Sequence, residues 1–197
     1  PEIRYDPSVF MDLPIKPSRF FVGSTMELFG VWNLWMDEIL SLCRKTPEHT
    51  FIFLTKCPQN LIKLSPFPKN CYVGVTVTEL NPENTPLAYL RKIQATVKFI
   101  SFEPLLKWTN NLPTRLSESL TIANISWVII GQQTPVSRKT MPRIKWIKDI
   151  IEACDKADIP IFLKNNLKPL FQNVEEPSWL VGWCNKPGEL RQEFPKN

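Results

Sequence analysis

Seven polar residues mark the C-terminal ends of short apolar runs: Ser24, Lys56, Thr76, Ser101, Glu103, Gln132 and Lys164. Hydroxyls, amides, one carboxylate and two ammonium groups are what a site for a small polar or charged ligand needs. Glu103, in Ser101-Phe-Glu-Pro-Leu-Leu106, would hold a ligand amine or ribose hydroxyls, or act as a general base. Equally, it would form a salt bridge to Lys56 or Lys164 and tie neighbouring strand ends together. Lys56, in Leu54-Thr-Lys-Cys-Pro58, would hold a carboxylate or phosphate, or make that same pair. The same ends carry Thr25, Glu27, Thr55, Thr78, Glu79, Gln133, Asn165 and Asn166. Glu103 and Lys56 together would also serve a metal-independent enzyme as an acid–base pair.

Other reactive residues are fewer. Cys57, beside Lys56, would be a thiolate of lowered pKa or an inert, partly buried thiol. No His stands at a matching strand end, so a Cys–His nucleophile lacks its base. The one His, His49, precedes a strand, which suits a structural role and excludes a histidine-rich metal site within the chain. Cys43, Cys57, Cys71, Cys154 and Cys184 are odd in number and widely spaced. That spacing argues against a disulfide framework and for a reducing, cytoplasmic compartment. Gly131-Gln-Gln is not a dinucleotide fingerprint, and there is no phosphate-binding glycine loop.

The elements that would position these residues repeat six times, each an apolar run followed by a helical segment. The strands are predicted at Arg19–Ser24, Thr50–Thr55, Cys71–Val77, Val97–Phe102, Trp127–Ile130 and Ile161–Leu163. Helices are predicted over 31–45, after Pro58, from Asn81-Pro-Glu83 to Ala95, around Thr114–Ala123 and over 143–157. The last is the clearest, with Ile144, Ile147, Ile150, Ile151 and Cys154 on one face. Parallel strands with helical crossovers give an α/β fold. Polar residues after every strand favour a partial or complete (β/α) barrel over an open doubly wound sheet, because barrels build their sites from all the C-terminal strand ends. The whole chain, 1–197, reads as one barrel-like domain, with a proline-rich leader over 1–18 and a wrapping tail over 167–197.

Hydrophobic residues at 43% are ample for a core, and nineteen prolines stiffen the connections. There is no run of eighteen apolar residues, so no membrane span is expected. The net charge is +5. Between Arg138 and Lys168, eight basic residues face four acidic ones. That stretch would attract phosphates of a nucleic acid, with Trp146 as an exposed aromatic, or form a solvated helix face laced by Lys145–Asp149, Lys148–Glu152 and Glu152–Lys156.

Seven motifs in order carry a resemblance. They are Phe21-Val-Gly-Ser-Thr-Met-Glu-Leu-Phe29, Leu54-Thr-Lys-Cys-Pro58, Gly74-Val-Thr-Val-Thr-Glu79, Phe99-Ile-Ser-Phe-Glu-Pro-Leu-Leu106, Trp127-Val-Ile-Ile-Gly131, Phe162-Leu-Lys164 and Leu190-Arg-Gln-Glu-Phe-Pro195. Over residues 19–195 the chain resembles a phage and prokaryote three-cysteine family of unknown function. That family is similar to radical S-adenosylmethionine enzymes, which use a partial β/α barrel. The resemblance implies a [4Fe–4S] cluster held by three cysteines of an N-terminal head, and S-adenosylmethionine bound at its open iron. Ser24, Lys56, Thr76, Ser101, Glu103, Gln132 and Lys164 would line the cofactor site, and the substrate is an unidentified small molecule or nucleic acid. The chain departs twice from the pattern. It has no cysteine triplet, so the cluster would depend on a segment before Pro1. And Gly131-Gln-Gln-Thr134 stands where the family has Gly-Gly-Glu-Ser. The alternative is a non-catalytic barrel that binds nucleic acid or a partner through 138–168.

Overall fold

The computed structural model describes residues 6, 8, 12–23, 26–31, 33–80, 86–108, 113–171, 184–186 and 189–195. Six strands form one sheet: β1 (Arg19–Val22), β2 (Thr50–Thr55), β3 (Cys71–Thr76), β4 (Val97–Phe102), β5 (Trp127–Ile130) and β6 (Ile161–Leu163). They lie side by side in chain order, and every neighbouring pair is parallel. The sheet curls into a half-barrel alongside its helices. These helices are α1 (Leu28–Val31), α2 (Asn33–Lys45), α3 (Leu61–Leu64), α4 (Pro86–Lys92), α5 (Pro113–Ile122) and α6 (Ile144–Lys156).

Continuous apolar runs make the central strands because both their faces are covered. All six residues of β4 and all four of β5 are buried. Alternation then separates two cores. Phe51, Phe53, Val73, Val75, Ile100, Phe102, Val128, Ile130, Ile161 and Leu163 pack with helix residues such as Leu40, Leu90, Leu120 and Ile150. Ile52, Tyr72, Val97, Phe99, Trp127 and Ile129 face the other way, into the curl. Gly74 lies on this inner face, where a Cβ would run into the Phe99 ring. A glycine is therefore what lets the Phe99 ring lie across β3.

The helices return the chain to the bottom of the sheet by one repeated device. Asn124 (φ 52°) and Asp158 (φ 53°) follow α5 and α6 in the left-handed conformation. Ile125 N–H donates to Leu120 O at 2.9 Å, and Ile159 N–H to Cys154 O at 2.9 Å. These are six-residue C-terminal caps, in which a short polar residue takes the αL position and the next apolar residue enters the core.

The segment predicted over 31–45 is helical on both sides of residue 32, which lies outside the described residues. Other boundaries differ from the sequence expectation. The helix predicted from Asn81 falls partly on 81–85, outside the described residues, and α4 ends at Lys92 rather than Ala95. Residues 167–170, the start of the expected tail, fall in a 3-10 turn (Asn165–Leu170). The described end of the tail lies along the edge of the sheet. Leu163 N–H donates to Arg191 O (2.8 Å) and Glu193 N–H to Ile161 O (2.9 Å), so 191–193 run antiparallel along the open edge of β6. Phe194 then turns onto the inner face, 5.5 Å from the Trp127 ring and 5.3 Å from Phe162. Arg19 of β1 lies 4.2 Å over the same ring. One aromatic residue thus spans from the last strands of the sheet to the first.

Candidate functional site

The inner-face alternation carries past the ends of the strands. It places Thr76, Ser101, Glu103, Gly131 and Lys164 on one side, at one end. Thr76 and Ser101 are direct register partners across β3 and β4. Ser101 is buried and Thr76 half-buried. Glu103 follows β4, Lys164 follows β6, and Gly131 follows β5, the strand between them. Lys164 Nζ donates to Glu103 Oε2, so the ion pair reaches across the end of β5. A Cβ at residue 131 would come within 2.6 Å of Glu103 Oε1 and 3.0 Å of Lys164 Cδ. The glycine is what leaves the pair room.

Asn166 holds this arrangement together. Its Nδ2 donates to Gln132 O at 2.8 Å and to Glu103 Oε1 at 3.4 Å, while its Oδ1 accepts from Gln132 N–H at 3.3 Å. Gln132 is 1% exposed, and its Nε2 donates to Asn166 O. Its Oε1 has no partner among the described residues, and neither has the buried Trp108 Nε1. Both follow strands at this same end of the sheet. Buried polar atoms are rarely left unpaired, so orphans mark where a further donor or acceptor belongs.

Other expected residues fall elsewhere. Of the two cations available to Glu103, the pairing goes to Lys164. The Lys56 side chain is exposed, while its backbone N–H donates to Glu27 Oε2 at 2.7 Å. Ser24 lies outside the described residues. Glu27 is a brace. Its carboxylate also accepts from Thr55 Oγ1 at 2.5 Å and from Phe29 N–H at 3.2 Å, fixing the loop after β1 to the end of β2. Of the two readings of Cys57, the inert, partly buried thiol fits. Burial and then the Glu27 charge push its thiol up rather than down. Trp146 is half-buried against the helix-side core with Arg143 5.3 Å over its ring, and so is not the exposed aromatic expected. His49 is buried at the opposite end, where its Nδ1 accepts from Ser18 N–H.

The donors present suit one kind of group and not another. A carboxylate, an ammonium, two hydroxyls and an orphaned amide oxygen suit a small ligand with amino, carboxylate and hydroxyl groups. An iron–sulfur cluster does not fit the described residues. Cys43, Cys71 and Cys154 are buried separately in the helix-side core, Cys57 is half-buried, and no group of three His, Cys, Asp or Glu is placed to hold a metal. Three cavities of about 730, 670 and 540 Å³ open at the other, N-terminal end of the sheet. In barrels that end serves stability rather than chemistry. No described helix is long and apolar enough to cross a membrane.

Fold and site together define a parallel α/β half-barrel with a polar constellation at its C-terminal strand ends. The chain belongs to a family of proteins of unknown function, DUF5131, whose family model matches residues 4–172. No curated protein and no solved structure matches it.

Proposed function

We propose that the half-barrel binds S-adenosylmethionine, or a ligand of the same chemistry, at the mouth formed by Thr76, Ser101, Glu103, Gln132 and Lys164. The observation that carries this is the Glu103–Lys164 pair laid across Gly131, with the orphaned Gln132 oxygen beside it. An amino-acid headgroup brings an ammonium for Glu103 and a carboxylate for Lys164, exchanging one internal ion pair for two. Ser101 and Thr76 offer hydroxyls for a ribose. The resemblance to radical S-adenosylmethionine enzymes supports the choice of ligand. In such enzymes a cluster supplies an electron to the bound cofactor; the described cysteines do not assemble one, so no step is derived through it.

Calorimetric titration tests the reading. Saturable binding of S-adenosylmethionine or S-adenosylhomocysteine is expected, with Glu103→Gln weakening it about tenfold, the value of one charge-assisted hydrogen bond. No saturable heat with either ligand would sink it. The rival, a non-catalytic nucleic-acid binder working through 138–168, loses ground on α6. There Lys145 pairs with Asp149 and Lys148 with Glu152, each at 3.6 Å, as on a solvated helix face.

A further inference from the structure

Five exposed cations follow the C-terminal ends of the sheet, on four separate loops. They are Lys56 after β2, Lys107 after β4, Arg138 and Lys139 after β5, and Lys168 after β6. None has a carboxylate partner among the described residues, unlike Lys145 and Lys148 of α6. Of the acids at the same end, Glu103 is paired with Lys164, while Glu27, held by Thr55 and two backbone amides, and Glu79, opposite Lys107 in register, keep their charge. The five exposed cations outnumber these two carboxylates, so the described rim has a net positive charge. A single small anion needs donors converging on one point, whereas cations set around a rim suit successive charges along a chain. Leu106 (42% exposed) and Val136 (46%) stand beside Lys107 and Arg138 and offer apolar surface between the charges.

We propose that this rim takes a single-stranded nucleic acid, whose phosphates track the cations while one nucleotide is presented to the mouth. A single strand fits better than a duplex, because a base inside a stack is out of reach of a site. The inference deepens the proposed function and rests on its view that the mouth is the working end. It differs from a patch on 138–168, because Lys56 and Lys107 contribute and the paired lysines of α6 do not.

The test is fluorescence anisotropy of the full chain with a labelled strand of about 12 nucleotides, an ordinary single-strand site size. Neutralising five phosphates at about 0.7 each predicts a slope of about −3.5 in log affinity against log salt. Replacing Lys56, Lys107, Arg138, Lys139 and Lys168 by Ala should weaken binding by about tenfold or more at low salt. A charge-matched variant at the opposite end (Arg44, Lys45, Lys69, Arg91 and Lys156 to Ala) should change it by about twofold or less. Equal loss in both variants, no binding by the wild-type protein, or equal competition by poly-glutamate overturns the proposal. So does a mononucleotide that displaces the strand at equal concentration, which would assign the rim to a small anion. Titrating S-adenosylmethionine into the rim variant separates the two claims. Retained cofactor binding without strand binding in the wild type sinks only the rim, and the reverse sinks only the cofactor reading.

Discussion

Gly74 and Gly131 share the inner face of the sheet, yet a methyl group would act differently at each. At Gly74 it meets the ring of Phe99, which is fully buried between Tyr72 and Trp127 strands and cannot give way. Gly74→Ala is expected to cost about 1–3 kcal/mol of stability through overpacking. At Gly131 it meets the far ends of Glu103 and Lys164, which can swing aside. Gly131→Ala is expected to leave stability within about 1 kcal/mol and to push Glu103 and Lys164 out of the positions that would hold the ligand headgroup, weakening S-adenosylmethionine binding. Thermal unfolding and titration on both variants check the contrast; a large loss of stability at Gly131 would mean that the pair braces the fold. The spacing of polar residues pointed to Glu103, Lys164 and Gln132. It gave no sign that Asn166 would bind both Gln132 and Glu103, because those contacts join residues 34 and 63 positions apart.

The six strands were legible because burial on both faces leaves a continuous apolar run bounded by Pro or polar residues. Thr50–Thr55, Val97–Phe102, Trp127–Ile130 and Ile161–Leu163 coincide with the expectation. The caps had a signal too: Ala123-Asn-Ile125 and Ala157-Asp-Ile159 repeat the same three-residue pattern ahead of β5 and β6. The edge pairing over 191–193 had none, since Leu-Arg-Gln-Glu-Phe lacks strand composition. It is held by charge. Arg191 bonds Asp155 Oδ1 at 2.7 Å and Glu193 Oε1 at 2.9 Å, and Ile161 N–H donates to Glu193 Oε2 at 3.0 Å. Burial raises the Glu193 carboxyl, but the Arg191 guanidinium and the Ile161 amide outweigh it and hold it below the usual carboxylate range. With the folded value the lower one, the stabilisation is complete above the unfolded carboxylate's range and fades as pH falls through the folded value. Amide-exchange protection at Ile161 and Leu163 should therefore drop between about pH 6 and pH 3. In Glu193→Gln it should already be low at pH 6; undiminished protection there would show that the backbone ladder alone holds the strand.

Across the whole molecule, closure at the N-terminal end depends on Phe194. Its ring touches Trp127 and Phe162 on one side of the curl and Arg19 on the other. At 41% exposure it is not a full core residue, so Phe194→Ala should cost less than a buried aromatic, about 1–2 kcal/mol. Ile15, 99% exposed, serves as the comparison, with Ile15→Ala expected within about 0.5 kcal/mol. Chemical denaturation of both measures it, and equal effects would remove Phe194 from the account of closure. This contact lies beyond residue 172, where the family match ends.

The sequence by itself determined the strands, their parallel order and which end would carry polar side chains. Those follow from patterns among contiguous residues: burial on both faces, helical periodicity, and polar residues where each run stops. Only the tertiary structure decided that Glu103 takes Lys164 rather than Lys56, and that the described end of the tail sets Phe194 inside the curl. Each depends on which strands become neighbours. Glu103 and Lys164 are 61 residues apart and meet because β5, followed at once by Gly131, is the strand between them.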